Sequence, residues 1–321
     1  MPDSCVIIGL GQIGMGYDLN LNSSEAIYTH ARALSVHPAF DLVCAVDPVK
    51  EQRDIFKKHY LKPTYPTISS AQQLQEASVI VIASPTDQHS LTIKEVLTHS
   101  TPKIILCEKP LSNNLDEARE MVQACENAGV RLFVNYIRRA DSGAIEIKER
   151  IESGQIKNPI KGIAWYSKGF FHNGSHLFNL LEFWLGPYKK AKILDKGRIW
   201  ENQDPEPDVQ VEFKNGKVIF IAAWEEAFSH YTIELLSPSG RLRYDEGGNL
   251  ISWQSIHDDP NIPGYKILKT TPETIRNGLS LYQWHVADQL ANALSDKPHS
   301  LSTGKQSLAT LEAMHQIINQ G

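Results

Sequence analysis

The chain has 321 residues, of which 41% are hydrophobic and 21% charged, with a net charge of −5. This length exceeds one ordinary domain and predicts two domains with ample cores. An acidic balance without Lys/Arg runs excludes general nucleic-acid binding, and no apolar run approaches the roughly 20 residues of a membrane helix. The N-terminus lacks a basic, signal-like region, so we expect a cytoplasmic protein.

All four cysteines, Cys5, Cys44, Cys107 and Cys125, lie in the first 125 residues, and none forms a CxxC pair. Three of them fall in or beside apolar, strand-like runs. We therefore expect reduced, buried thiols that behave as small hydrophobes, with neither disulfides nor a metal site.

The first fifty residues have the layout of a dinucleotide-binding βαβ unit. An apolar run, Val6–Ile8, leads into Gly9-Leu10-Gly11-Gln12-Ile13-Gly14, and a second run, Leu42–Val46, ends on Asp47. In this motif two glycines let the backbone turn and approach a pyrophosphate at a helix N-terminus, and the third lets helix and strand pack closely. The acid that ends the second strand accepts hydrogen bonds from a ribose. The alternative interpretation is a purely structural glycine turn.

An insertion separates the glycine turn from the first helix. Gly14 and Asp47 are 33 residues apart, whereas about 20 residues are usual between the motif and its acid. Residues Met15–Ile27 are polar and Asn-rich, and Thr29–Ser35 has the pattern of the helix itself. The insertion is either a surface loop or a flap beside the cofactor or substrate, since loops at this edge of the sheet face the ligand.

The first part of the chain alternates between apolar strands and helices. Such alternation indicates a parallel sheet covered on both faces, and we predict a Rossmann-type, doubly wound domain over residues 1–137. The predicted elements are strands at Val6–Gly9, Leu42–Asp47, Val79–Ala83, Ile104–Cys107 and Val130–Asn135, and helices at Thr29–Ser35, Val49–His59, Gln72–Ala77, Gln88–Thr98 and Asn114–Ala128.

Beyond this point short strands dominate, which predicts a C-terminal α/β domain with an open, mainly antiparallel sheet over residues 138–321. A hairpin is expected over residues 209–221, because Asn215-Gly216 supplies the positive φ angles of a tight turn. Glu201–Asp208 contains two prolines and is predicted to be a surface loop. Closing helices, which can pack back on the first domain, are predicted around residues 281–294 and 305–319.

Two motifs close further strands of the predicted parallel sheet, at the edge where ligands bind. The first is Ala83-Ser84-Pro85-Thr86-Asp87-Gln88-His89, a tight turn whose small hydroxyl side chains let the backbone approach a nicotinamide. Alternatively, Ser84 or Asp87 only caps a helix. The second is Cys107-Glu108-Lys109-Pro110, whose lysine can reach a hydroxyl or carbonyl oxygen of a substrate. Alternatively, its two charged residues form a solvated pair.

A third motif, His172-Asn173-Gly174-Ser175-His176, follows the change of domain. Ser175 or Asn173 can cap a helix there, which places His176 in the first turn. The positive end of a helix dipole favours a neutral imidazole, and a neutral imidazole can act as a general base. The alternative is a histidine with a structural role only.

Taken in order, these features resemble the Gfo/Idh/MocA oxidoreductases, the family of glucose–fructose oxidoreductase and inositol dehydrogenase. His30-Ala31-Arg32-Ala33-Leu34 looks like that family's first helix, and Val134-Asn135-Tyr136-Ile137-Arg138-Arg139 looks like its crossover into the second domain. The most specific part is Glu108-Lys109-Pro110 followed by Gly174-x-His176. The resemblance covers nearly the whole chain.

The resemblance implies a Rossmann domain, an open-sheet α/β domain that forms homodimers or homotetramers, and NAD(P)-dependent oxidation or reduction of a sugar, a sugar derivative (nucleotide-linked ones included) or a cyclitol. It also implies that Lys109 polarises the reacting oxygen while His176 exchanges the proton. The cofactor-binding residues expected are the glycine turn with Gln12 and Ile13, Asp47, Ser84, Pro85, Thr86, His89, Glu108 and Lys109.

The sequence departs from the family pattern at two positions. The family often has Asp two residues before the glycine of Gly-x-His and three residues after its histidine, where this chain has His172 and Asn179. Without a neighbouring carboxylate, an imidazolium at His176 is less stabilised. Three alternatives stay open: His176 works alone, His172 shares or replaces its role, or Lys109 is the acid–base group. A Lys109–His176 pair is favoured.

Substrate-binding residues are expected among Lys109, Arg138, Arg139, Asn173, His176 and Asn179. The two arginines either reach an anionic substrate group or form a solvated basic corner. The Asp47 carboxylate accepts a hydrogen bond from a ribose 2′-OH and repels a 2′-phosphate, which favours NAD(H). Lys50 and Arg53 keep NADP(H) as the alternative. Competing hypotheses are a non-catalytic dinucleotide-binding sensor and a redox-neutral enzyme that retains NAD.

Overall fold

The computed structural model describes residues 2–21 and 26–320, and the chain divides into two compact units. The first unit comprises residues 1–140 and 280–309, and the second comprises residues 141–279 and 310–321. The chain first leaves the first unit after residue 140, close to the boundary predicted between residues 137 and 138. Within the described part of the chain, no helix is long and apolar enough to cross a membrane.

The first unit is built on a parallel sheet. Its six parallel strands follow the order β6-β5-β4-β1-β2-β3, so the predicted doubly wound sheet is confirmed. The order reverses between β1 and β4, and ligands bind at such a switch point, beside the carboxyl ends of the strands. The elements are β1 (Asp3–Ile8), α1 (His30–Val36), β2 (Phe40–Val46), α2 (Lys50–Tyr60), β3 (Thr64–Tyr65), β4 (Val79–Ile82), α3 (His89–His99), β5 (Ile104–Cys107), α4 (Leu115–Asn127) and β6 (Arg131–Val134).

The second unit contains a large open sheet covered on one face by helices. Its strand order is β14-β13-β12-β11-β7-β10-β9-β8, with β15 paired to β13; β7 and β10 are parallel, and the other pairs are antiparallel. The mainly antiparallel sheet is therefore confirmed. The elements are α5 (Ser142–Glu152), β7 (Ile160–Tyr166), α6 (Ser175–Leu185), β8 (Tyr188–Trp200), β9 (Asp204–Phe213), β10 (Gly216–Ala222), β11 (Tyr231–Ser237), β12 (Gly240–Asp245), β13 (Leu250–Asp258), β14 (Lys266–Leu268) and β15 (Glu273–Ile275).

The chain closes with α7 (Tyr282–Leu294), β16 (Ser302–Thr303) and α8 (Gly304–Asn319). α7 buries apolar side chains such as Val286 and Leu290 in the core of the first unit, and β16 pairs antiparallel with β6. The later part of α8 contributes Met314 and Ile317 to the core of the second unit.

The loop predicted over Glu201–Asp208 is wrong, because β8 and β9 form one long hairpin. Their register pairs Trp200 with Asp204, so residues 201–203 make the turn, in which Glu201 and Asn202 have φ angles of 46° and 59°. The prolines at positions 205 and 207 fit because this end of β9 pairs with β8 but not with β10, so one side of the strand has no ladder to break.

The hairpin predicted over residues 209–221 is confirmed, but its turn differs from the prediction. The register pairs Phe213 with Gly216, so Lys214 and Asn215 are the central residues of the turn. Neither Asn215 nor Gly216 is among the residues with positive φ. Residues with positive φ lie instead at the β8–β9 connection and at Glu246–Gly248 between β12 and β13.

Candidate functional site

The three glycines of the turn after β1 have different roles. Gly9 has a φ of +99°, and a Cβ there would lie 2.5 Å from the backbone of Ala83 and Ser84, just after β4. A Cβ on Gly14 would lie 2.2 Å from the carbonyl oxygen of Gly9, whereas a Cβ on Gly11 would meet nothing within 4 Å. The first and third glycines therefore permit close packing, and the second presents an open backbone face with room for a ligand.

The glycine turn continues into a short π-helical segment, Gln12–Gly16, and α1 begins only at residue 30. Asp18, whose side chain is buried, accepts hydrogen bonds from the backbone N–H groups of Tyr28 and Thr29 at 2.7 and 3.0 Å. This carboxylate ties the start of the predicted insertion to the N-cap of α1. Residues 22–25 of the insertion lie outside the described residues.

Asp47, at the end of β2, is fixed by the backbone on both oxygens. Oδ2 accepts from the N–H of Leu10 inside the glycine turn, and Oδ1 accepts from the N–H of Val49, both at 2.7 Å. Arg53 donates to the carbonyl oxygens of Asp47 and Pro48 at 2.7 and 2.8 Å. The carboxylate thus joins two strand ends, and Arg53 is occupied by backbone oxygens beside it.

The Ser84-Pro85-Thr86 turn leaves β4 beside the glycine turn. The buried Oγ of Ser84 makes no hydrogen bond to any residue that the structure describes. His89 is fully buried; its Nε2 lies 3.0 Å from the carbonyl oxygen of Ser84 and its Nδ1 lies 3.1 Å from that of Leu111. The imidazole therefore holds this turn through two backbone oxygens, and the contact of His89 with a cofactor stays a prediction. No side chain caps α3.

Glu108, which follows β5, belongs to a buried network. His30 donates from Nε2 to Oε1 of Glu108 at 2.7 Å, and Asn135 donates from Nδ2 to the same oxygen at 2.6 Å. The Nδ2 of Asn135 also donates to Oε1 of Gln283 at 3.3 Å. Burial raises the pKa of the Glu108 carboxyl, but the opposing effects are larger and hold that pKa below its usual value. These effects are the hydrogen bond and charge of His30, the hydrogen bond of Asn135 and the charge of Lys109. The alternative of a solvated Glu–Lys pair is therefore wrong for Glu108.

The predicted alternative of a solvated basic corner at Arg138 and Arg139 is also wrong. Both side chains are buried, with exposed fractions of 8% and 7%. Arg139 donates from Nε to the carbonyl oxygen of Ser300 at 3.0 Å. The binding of an anionic substrate group by these arginines stays a prediction.

In the second unit, the Gly-x-His motif lies where a π-helical segment, Gly169–Gly174, runs directly into α6. The predicted cap by Ser175 or Asn173 is wrong, since no side chain caps α6. Ser175 instead donates from Oγ to the carbonyl oxygen of His172 at 3.2 Å. His176 therefore lies inside a continuous helical stretch that begins one turn earlier than predicted.

Two carboxylates of β9 bind the N–H groups at the start of this stretch. Asp204 accepts from the backbone of Phe171 and His172 at 3.0 and 2.8 Å, and Glu206 accepts from Gly169 at 3.0 Å. Burial raises the pKa of Asp204 and outweighs the opposite effect of the backbone hydrogen bonds. Neither acid was predicted from the sequence, because the Asp-Pro-Glu-Pro-Asp context is typical of a loop. Their carboxylates hold the backbone at and just before the start of the motif.

His176 is 8% exposed, and its ring meets the ring of Tyr231 edge to face, with centroids 6.2 Å apart. The hydroxyl of Tyr231 donates to Oδ1 of Asn173. The Nδ2 of Asn173 is buried and makes no hydrogen bond within the described ranges. Tyr231, on β11, is a neighbour of the motif for which the sequence carried no signal.

His172 and Asn179 differ sharply in their surroundings. The side chain of His172 is exposed, and its ring lies 5.4 Å from that of Trp200 at the end of β8. Asn179 is 1% exposed and donates from Nδ2 to the hydroxyl of Thr310 at 3.1 Å. Asn179 therefore lies in the packing between α6 and α8, and its part in substrate binding stays a prediction.

The four cysteines are buried, as predicted, and their thiols are free. Across residues 2–21 and 26–320, no group of three or more His, Cys, Asp or Glu side chains could hold a metal ion.

The fold and the residues at its strand ends define a dinucleotide-binding protein of the Rossmann class. Residues 4–136 match the model of the Gfo/Idh/MocA family, described as an oxidoreductase family with an NAD-binding Rossmann fold. The resemblance to the Gfo/Idh/MocA oxidoreductases that the sequence indicates is thus confirmed for residues 4–136.

Known relatives extend the comparison. The chain is 29% identical over 171 residues to scyllo-inositol 2-dehydrogenase (NAD(+)) of Bacillus subtilis (strain 168), which spans 52% of this chain and 43% of that protein. It is 21% identical over 266 residues to 2,7-anhydro-N-acetylneuraminate hydratase of Escherichia coli (strain K12), spanning 74% and 68%. The matches cover less than half the length of the first five curated relatives.

A solved structure shares the fold over the whole chain. The WlbA dehydrogenase of Bordetella pertussis, in complex with NADH and UDP-GlcNAcA, superimposes with a TM-score of 0.75 and 17% identity, over 100% of this chain and 98% of that one. At this level of identity the likeness shows the fold alone.

Proposed function

We propose that this protein is an NAD(P)-dependent oxidoreductase that transfers a hydride between a nicotinamide and a hydroxyl or keto group of a sugar, a sugar derivative or a cyclitol. The observation that carries the proposal is the sheet edge of the first unit. Asp47, the glycine turn, Ser84 and Glu108 follow the neighbouring strands β2, β1, β4 and β5 at their carboxyl ends. The substrate class is supported by the match to scyllo-inositol 2-dehydrogenase (NAD(+)).

The residues at this edge fit a dinucleotide. The open face at Gly11 suits a pyrophosphate, Asp47 suits an adenosine ribose, and the orphaned hydroxyl of Ser84 offers a hydrogen bond to the nicotinamide half. When bound, the cofactor supplies or accepts the hydride. NAD(H) is the preferred cofactor in this proposal, since Asp47 is charged and Arg53 is bound to backbone oxygens.

Lys109 and His176 share the proton chemistry in the proposed mechanism. The ammonium of Lys109 polarises the reacting oxygen of the substrate, and the imidazole of His176 accepts the hydroxyl proton during oxidation and returns it during reduction. The Tyr231 ring against His176 restrains the imidazole. The exposed ring of His172 keeps a shared role as the alternative.

A fluorescence titration of the purified protein with NADH and NADPH tests the cofactor, and Lys109→Met tests the mechanism. We expect tighter binding of NADH, turnover with members of a cyclitol and sugar panel, and loss of turnover in Lys109→Met with cofactor affinity nearly intact. Absence of binding to either nucleotide, once retained cofactor is excluded, contradicts the proposal. Wild-type kcat in Lys109→Met contradicts the mechanism.

A second candidate is a redox-neutral enzyme that retains its NAD. It is favoured by the alignment with the hydratase of Escherichia coli over 74% of this chain. Nicotinamide that survives purification, together with turnover that leaves NADH absorbance unchanged, would distinguish this candidate from a dehydrogenase.

We also propose a homodimer or homotetramer formed through the outer face of the nine-stranded sheet. Ile163 and Trp165 on β7 are 39% and 40% exposed, and the register places Ile219 and Ile221 of β10 beside them. A contiguous apolar patch of this kind is typical of an interaction site. Mass photometry should show an oligomer for the wild type and a smaller species for Trp165→Lys.

A further inference from the structure

Four polar side chains from separate parts of the first unit meet beside Lys109. His30 begins α1, Glu108 follows β5, Asn135 follows β6, and Gln283 lies in α7. The side chains of His30, Asn135 and Gln283 are at most 3% exposed. A buried polar cluster of this kind is costly to assemble unless its members satisfy one another. Its centre is the Oε1 of Glu108, which accepts from His30 at 2.7 Å and from Asn135 at 2.6 Å.

Several titratable groups face the Glu108 carboxyl. They are His30 from α1, Lys109 and Cys107 from its own segment, and Tyr282 from α7. Burial by itself favours a neutral carboxylic acid. A neutral Glu108 would offer no charge to the neighbouring ammonium, so whatever keeps Glu108 ionised also affects Lys109.

We infer that His30 is a positioning residue for Lys109: its Nε2–H fixes Oε1 of the Glu108 carboxylate at 2.7 Å, and Oε2 of that carboxylate accepts the backbone N–H of Lys109 at 3.3 Å, so the placement of Lys109 depends on His30. The role of Lys109 itself rests on the proposed function. A purely structural His30 would fill space and donate one hydrogen bond, but it would not control the ionisation of Glu108. The two cases therefore differ in their dependence on pH.

The test compares His30→Leu with His30→Gln, which keeps a donor, and with His37→Leu as a matched control. His37 is also a buried histidine, at the C-terminal end of α1, and it faces Asp288 at 3.8 Å, outside this cluster. We expect His30→Leu to lose about tenfold or more in kcat/KM near neutral pH, with the acid limb of the profile moved to higher pH. His30→Gln should recover part of the loss, NADH affinity should stay within about threefold, and His37→Leu should keep the wild-type profile.

A measurement that needs no turnover separates the inference from the proposed function. In protein labelled with ¹³C-glutamate, the side-chain carboxyl signal of Glu108 is assigned with Glu108→Gln and titrated in the wild type and in His30→Leu. We expect Glu108 to titrate at higher pH in His30→Leu. Equal titration in the two proteins, or equal activity losses in His30→Leu and His37→Leu, overturns the inference. A wild type without turnover overturns the proposed function, and the titration then decides whether His30 controls Glu108.

Discussion

Replacement of Gly11 by alanine should separate cofactor binding from folding. The added Cβ meets nothing within 4 Å, and the φ and ψ angles of −68° and −159° lie in the extended region that alanine adopts. At such a position alanine reduces the conformational entropy of the unfolded chain, which stabilises a protein by about 0.4–1 kcal/mol. The melting temperature of Gly11→Ala should therefore equal or slightly exceed that of the wild type.

The same methyl group should be costly for binding. In the proposed complex it occupies the open face through which the pyrophosphate approaches the backbone N–H groups. Hydrogen bonds to a charged group contribute about 1.5–3 kcal/mol each. Loss of two of them raises the Kd for NADH by roughly 100-fold or more, since each 1.4 kcal/mol is a factor of about ten.

The assay is a fluorescence titration with NADH beside a thermal melt, with Gly14→Ala as the control. A Cβ on Gly14 would lie 2.2 Å from the carbonyl oxygen of Gly9, so that variant must shift its backbone and should melt at a lower temperature. Wild-type affinity for NADH in Gly11→Ala would refute the placement of the pyrophosphate at this turn. A lower melting temperature in Gly11→Ala would refute the description of the open face.

Three further predictions concern carboxylates. Asp204→Ala removes the acceptor of two backbone N–H groups. Each N–H group left without an acceptor costs about 1–2 kcal/mol of stability, so the melting temperature should fall by roughly 5–10 °C. An unchanged melting temperature would contradict the capping role of Asp204. Asp47→Asn removes the charge and one of the two oxygens that accept from Leu10 and Val49. The preference for NADH over NADPH should therefore fall by about tenfold or more in parallel titrations, and an unchanged ratio would exclude Asp47 as the selector. The pKa of Glu108 is held below its usual value, so its contribution to stability is present above about pH 4.3 and is lost as the pH falls through the folded-state pKa. Urea denaturation should show a steeper loss for the wild type than for Glu108→Gln on acidification, and parallel curves would contradict the prediction.

The features that the sequence predicts correctly are those encoded locally. The apolar runs of β4 and β5 and the helices between the strands indicate a parallel sheet because burial on both faces requires continuous apolar residues. The spacing of Gly9, Gly11 and Gly14 predicts the turn because each position requires glycine for a physical reason. Gly9 and Gly14 lack room for a Cβ, and Gly11 leaves the backbone open to a ligand. Strand ends such as Asp47 and Glu108 then fall at one edge of the sheet by topology alone.

Tertiary structure decided which distant polar side chains meet. Asn135 and Gln283 are 148 residues apart, and hydrophobic periodicity says nothing about their contact. Asp204 looks like part of a proline-containing loop until the pairing of β9 with β8 buries its carboxylate against the Gly-x-His segment. Propensity and periodicity describe a residue's own neighbourhood in sequence, whereas the partners of a buried charge are set by the packing of elements far apart along the chain.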